Sequence, residues 1–116
     1  MAHDFVEKIT NLSIGNGATV SASFQINKWA VFVGLWLPAM DDGAIGVQIC
    51  DTTGGTFVPI LDPADGADLV IVASGSDPGV IDISDFIRFI PSTYFLQLTC
   101  TAQSSGAVTA RIFERG

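Results

Sequence analysis

Residues 28–37, Lys28-Trp29-Ala30-Val31-Phe32-Val33-Gly34-Leu35-Trp36-Leu37, decide the fold of this chain. The run is almost unbroken in apolar side chains and is bounded by Asn27 and Pro38, a length that suits a long strand or a short buried helix. Composition selects the strand: Trp29, Val31, Phe32 and Val33 are aromatic or β-branched, Gly34 weakens a helix, and Pro38 stops the run. Alternation along a strand then puts Trp29, Val31, Val33, Leu35 and Leu37 on one face and Ala30, Phe32, Gly34 and Trp36 on the other. Both faces are apolar. The run therefore predicts packing on both sides, the protein's own core on one and a further surface on the other.

The flanking sequence reads as more short strands. Residues 5–14 alternate loosely and end at the turn signal Gly15-Asn16-Gly17. Residues 19–26 alternate cleanly, which predicts Val20, Ala22, Phe24 and Ile26 dry and Thr19, Ser21, Ser23 and Gln25 wet. Beyond the loop at 38–43, residues 44–51 and 56–61 form a hairpin across Thr52-Thr53-Gly54-Gly55, and Pro59, which cannot donate to a ladder, places the second arm at a sheet edge or a bulge. An acidic, turn-rich connection at 62–68 leads to a short apolar strand at 69–73. Residues 80–91 predict a short strand and then one helical or 3₁₀ turn, capped by Asp82 or Ser84. Residues 94–101 and 108–114 complete the set. About eight short strands without a convincing helix predict an all-β, antiparallel β-sandwich of jelly-roll type. Its expected core is Val20, Phe24, Ile26, Val31, Val33, Leu35, Val47, Ile49, Leu96 and Leu98. One domain spans 1–116, with residues 1–4 read as a flexible N-terminus.

Charged residues make up 15% of the chain and apolar ones 48%, against about 25% charged in ordinary soluble domains. Such a composition points to an assembly. The net charge of −7 repels phosphate backbones and anionic lipid, so neither nucleic acid nor a membrane is expected as a partner. No apolar run is long enough for a membrane span, and Met1-Ala2-His3-Asp4 lacks the pattern of a signal peptide. The reading is a soluble protein made in the cytosol. Cys50 and Cys100 each fall within an apolar strand pattern, where a free, buried thiol is expected.

Candidate chemistry is sparse. His3 is the one histidine and lies at the terminus, so no Ser-His-Asp or Cys-His arrangement is expected, and no enzyme. Asp62, Asp65 and Asp68, with Asp41, Asp42, Asp77, Asp82 and Asp85 elsewhere, offer oxygen ligands of the kind calcium takes, yet their spacing matches no calcium loop and Asp is a common turn former. No metal or cofactor is expected. Phe32 and Trp36 stand on one strand face, about 13 Å apart at about 3.3 Å per residue. Flanked by Ala30 and Gly34 rather than by polar side chains, they predict an apolar contact more than a sugar platform. With the cluster Ile87, Phe89 and Ile90 near Pro91, they form the expected interface of a homo-oligomer.

The segments AVFVGLWLPA (30–39), AIGVQICDTTGGTFVPIL (44–61) and VIDISDFIRFIPSTYFLQLTC (80–100) together resemble small β-sandwich virion proteins of tailed bacteriophages, the head decoration or cement proteins among them. The resemblance covers residues 24–113 and is one of pattern and element order, so no residue takes a functional role from it. It implies a non-enzymatic structural protein, made in the bacterial host cytoplasm and located in the virion. There it would be an oligomer, a trimer being slightly favoured, on the major capsid or another virion protein. The alternative from the residues alone is a carbohydrate-binding or adhesion module using Phe32 and Trp36 or the loops 41–43 and 62–68.

Overall fold

A computed structural model describes residues 7–52, 54–72, 77–104 and 106–116. His3 and residues 1–4 lie outside them. The described residues form β1 (Glu7–Ile14), β2 (Phe32–Leu37), β3 (Ile45–Cys50), β4 (Val58–Pro59), β5 (Val70–Val72), β6 (Gly79–Asp82), the single helical turn α1 (Ser84–Ile87), β7 (Phe95–Thr99) and β8 (Val108–Arg115). Every strand pairing is antiparallel. One sheet runs β1-β8-β2-β6. The other is built on β3, which pairs with β7 along one side and with β4 and β5 along the other.

Two details of register show the winding. β4 pairs with Gln48 and Ile49, and β5 with Ile45 and Gly46, so the two follow one another along the same side of β3. They are one edge strand, interrupted by an excursion that a bridge between Leu61 and Asp68 closes. On the free side of β7, residues 20–24 add an irregular strand, with Val20 bridged to Thr99 and Phe24 to Leu96. Numbered along the chain, the eight extended segments lie in the order first-eighth-third-sixth in one sheet and second-seventh-fourth-fifth in the other. That is a jelly roll, in which the chain changes sheet at every connection except the β3–β4 hairpin.

Alternation fills the space between the sheets. Leu12, Ile14, Val33, Leu35, Leu37, Ala110 and Ile112 point inward from the first sheet, and Ile45, Val47, Leu96 and Leu98 from the second, all nearly inaccessible to water. Ile83, just before α1, and Ile87, at its end, join this core. Pro59 lies at the sheet edge. Because the Ile60 N–H donates toward β3 at the Val47 carbonyl, the ring nitrogen of Pro59 faces away from the ladder, where no donor is needed.

Four expectations are corrected. The central strand begins at Phe32 rather than Lys28, because Asn27–Ala30 closes a turn (Ala30 N–H to Asn27 C=O, 3.0 Å). The buried carboxylate of Glu114 holds that turn, accepting the Asn27 backbone N–H at 2.7 Å and its side-chain amide at 3.1 Å. Val31 therefore leaves the predicted core and is 63% exposed. Val20, 37% exposed, leaves it too. Its bridge to Thr99 and the next one, Phe24 to Leu96, differ by one residue in register, so the segment carries a bulge. The bulge reverses the alternation: Val20 stands opposite outward Thr99, whereas Phe24 stands opposite inward Leu96. Ser21, read as wet, is buried, and its hydroxyl accepts the Leu98 N–H at 2.9 Å.

Leu35→Ala removes a fully buried side chain from the middle of the sandwich and should lower unfolding free energy by about 2–5 kcal/mol. Val31→Ala should change it by no more than about 0.5 kcal/mol. Urea titration followed by circular dichroism measures both, and equal losses would contradict the strand boundary at Phe32.

Candidate functional site

The two sheets present very different outer faces. On the second sheet, Gln48 and Gln97 are cross-strand neighbours joined by a side-chain hydrogen bond of 2.8 Å, a pairing suited to water, and the exposed Val20 and Val70 stand at opposite ends of the row they share with Thr99 and Gly46. The first sheet turns out Ile9 from β1, Arg111, Phe113 and Arg115 from β8, Phe32, Gly34 and Trp36 from β2, and Val80 and Asp82 from β6. The register sets them in rows: Arg115 beside Phe32, then Ile9-Phe113-Gly34-Asp82, then Asn11-Arg111-Trp36-Val80. Ile9, Phe32 and Val80 are 64%, 61% and 64% exposed. Nothing in the described chain covers this face.

Local chemistry arranges it. The Phe113 ring lies over Gly34, 3.6 Å from where a β-carbon would stand, so an aromatic side chain covers the bare backbone of a central strand. The Arg111 guanidinium lies 4.7 Å from the centre of the Trp36 ring, a cation–π contact made by direct cross-strand neighbours. Arg115 approaches Glu7 at 3.9 Å. At the β6 edge, the Ser84 hydroxyl donates to the Asp82 carboxylate at 2.6 Å and accepts the Val33 N–H at 2.9 Å. In this way a side chain continues the ladder beyond the end of β6. The Ser84 backbone N–H also donates to Asp82.

Of the interface residues read from sequence, Phe32 and Trp36 stand on this outer face. Phe89, 64% exposed, lies apart from them beside a groove of about 420 Å³ between α1 and the β4–β5 edge, with Ile60, Leu61, Leu69 and Phe86. Ile90 is half-buried against the core, and Ile87 is a correction: at 5% exposure it belongs to the core itself. The outer-face residues that sequence reasoning missed are Ile9, Val80, Arg111 and Phe113. The alternation of their strands was visible, but which strands lie beside β2 was not.

Three of the loop carboxylates, Asp62, Asp65 and Asp41, brace the backbone. Asp62 and Asp65 accept the N–H groups of Ala64 and Ala67, two residues ahead, at 2.8 and 2.9 Å, and so shape the excursion between β4 and β5. Asp41 accepts the Ser104 N–H and hydroxyl at 2.8 and 2.6 Å, and Asp85 pairs with Arg88. Among the described residues no group of three His, Cys, Asp or Glu side chains is placed to hold a metal ion. A second depression of about 320 Å³, between 26–33 and 84–92, is lined by no carboxylate, imidazole or thiol. Cys50 and Cys100 are free thiols; Cys50 donates to the Thr52 carbonyl, and burial pushes the Cys100 pKa up. No helix among the described residues is long and apolar enough to cross a membrane.

Comparison with models of known protein families, with curated proteins and with solved structures finds no significant match to this chain.

The Asp82 carboxyl is held below its ordinary pKa of 3.8 by the hydrogen bond from the Ser84 hydroxyl and then by that from the Ser84 N–H. A depressed folded-state pKa stabilises the fold above the ordinary carboxylate pKa, and this is lost as pH falls through the lower folded value. Asp82→Asn should therefore melt below wild type at pH 7, with the two melting curves converging in strong acid. A gap that stayed constant with pH would assign the effect to something other than the charge.

Proposed function

We propose that this chain is a non-enzymatic structural protein that acts by surface association, with the outer face of the first sheet as its contact surface. The observation that carries the reading is the contrast between the sandwich's two outer faces. One centres on the hydrogen-bonded Gln48–Gln97 pair and exposes Val20 and Val70 singly at opposite ends of a row, while the other leaves Ile9, Phe32 and Val80 in water around Trp36 and Phe113. Contiguous apolar surface of that kind marks contact sites in soluble proteins. Together with the resemblance to head decoration proteins, it supports a homo-oligomer mounted on the capsid of a tailed phage, made in the host cytoplasm and carried in the virion.

The carbohydrate-binding alternative would need a free aromatic platform. Arg111 already lies over the Trp36 ring, and Phe113 fills the space above Gly34 between the two candidate stacking residues. These contacts favour a protein surface over a sugar.

Antibody raised against the chain and applied to purified phage particles from its source should label the head surface in electron micrographs. Label confined to the tail tip, or no label, would overturn the virion role. A glycan array run beside it should be blank. Specific glycan binding that Trp36→Ala abolishes while the β spectrum is kept would establish the alternative instead.

A further inference from the structure

We infer that the groove between α1 and the β4–β5 edge is a second contact site, separate from the outer face of the first sheet, and that it takes a short segment of a partner protein in which an arginine stands beside apolar side chains. Shape carries the first step. Ile60, Leu61, Leu69, Phe86 and Phe89 line a concave space of about 420 Å³, within the ~300–1,000 Å³ of small-ligand sites and ample for one or two partner side chains. Ile60 is buried and Leu69 and Phe86 are half-buried, yet Phe89 and Leu61 are 64% and 53% exposed. Two large apolar side chains thus meet water across a hollow, where an incoming side chain is enclosed and desolvated rather than touched on one side.

Charge carries the second step and names the partner. Asp85 lines the groove, and no Lys or Arg does. Leu61 and Asp68 oppose each other in an antiparallel bridge flanked by the bonds Leu69 N–H to Ile60 C=O and Asp62 N–H to Ala67 C=O, 2.7 Å each. That makes them a non-hydrogen-bonded pair, the closer of the two kinds. Opposed residues project from the same side, so the Asp68 carboxylate stands beside the groove-lining side chain of Leu61. Arg88 pairs with Asp85 at 2.7 Å, but both side chains are more than 70% exposed, and an exposed pair of this kind gives way to a partner's cation at little cost. The other four basic residues lie on β1, in the turn before β2 and on β8. Carboxylates beside exposed rings suit a guanidinium, which bonds a carboxylate through a planar fork and lays its face on an aromatic ring. An ammonium is more strongly hydrated and has no such face, so lysine gains less here, and an acidic segment is repelled.

Titration of the isotope-labelled full chain with a capped peptide, Leu-Arg-Leu between glycines, followed by nuclear magnetic resonance, tests this. The backbone amide signals of Leu61, Leu69 and Phe89 should shift and saturate. Lysine in place of the peptide's arginine should weaken binding about two- to fivefold, and glutamate at least about tenfold. Phe89→Ser should keep the β spectrum and weaken binding at least about tenfold. Asp68→Asn should weaken it about two- to fivefold and leave it less sensitive to added salt. Gln97→Ala, on the outer face of the second sheet, should bind as wild type does. If Phe89→Ser loses the β spectrum, Leu61→Ser replaces it. Shifts that never saturate, a glutamate peptide that binds as tightly, unchanged binding in Phe89→Ser, or shifts centred on Ile9, Phe32 and Val80 would each overturn the site.

Discussion

Val33, Leu35 and Leu37 point into the sandwich because β2 is held in one register between β8 and β6, and a slip of one residue would exchange them for Phe32, Gly34 and Trp36. In most antiparallel sheets the hydrophobic pattern penalises such a slip, since it would bury polar side chains. Here both sets are apolar, and the penalty from pattern alone is small. Polar contacts supply the difference. At the start of the strand the Val33 N–H is fixed by the Ser84 hydroxyl, which Asp82 orients in turn. Just before it, Glu114 grips Asn27, a residue 87 positions away in sequence, and so sets where the chain may enter the sheet.

Those contacts also account for the buried polar groups. Glu114, Gln103 and Ser21 are each at most 5% exposed, and each joins one segment of chain to another. Gln103 accepts the Asp41 N–H and donates to the Thr101 carbonyl, while its own carbonyl receives the Gly17 N–H, so three loops at one end of the sandwich meet on a single residue. Among the described residues no buried side-chain nitrogen or oxygen lacks a partner. A carboxylate or amide committed in this way stabilises a loop, and its burial keeps it out of a ligand's reach. The chain's distinctive surface is thus apolar rather than polar.

Much of the fold was legible in the sequence, for reasons that are local. The alternation of Phe32 to Leu37, the turn at 52–55 and the edge position of Pro59 each follow from side chains within a few residues of one another. Features decided at long range were not legible. Lys28 to Val31 look as apolar as the strand that follows, and only the Glu114 contact turns them into a lead-in. The bulge in 20–24 inverts an alternation that reads cleanly, because its backbone answers two sheets: Ser21 and Phe24 donate to β7, and Ala22 between them donates to Ser13 of β1. The candidate face was half legible. Phe32 and Trp36 announce themselves, but Arg111, Phe113, Ile9 and Val80 become their neighbours through the jelly-roll order of strands, which no local pattern encodes.

An uncovered apolar face in a chain with few charges invites open-ended aggregation, and the edges of the two sheets bear on whether it occurs. Residues 20–24 hydrogen-bond to β7 on one side and to the end of β1 on the other, so the sandwich is stitched shut along that flank. On the opposite flank, β4 turns the nitrogen of Pro59 outward, and β6 ends after four residues at Asp82, immediately before α1. Short, interrupted or proline-bearing edges give an incoming strand little ladder to extend. The acidic residues of the 62–68 excursion and of α1 add like-charge repulsion around the groove that Phe89 leaves open. What remains among the described residues is the broad apolar face of the first sheet. Its flatness and its position on a sheet rather than at an edge make contact there a matter of side chains meeting side chains, which stops when the face is covered.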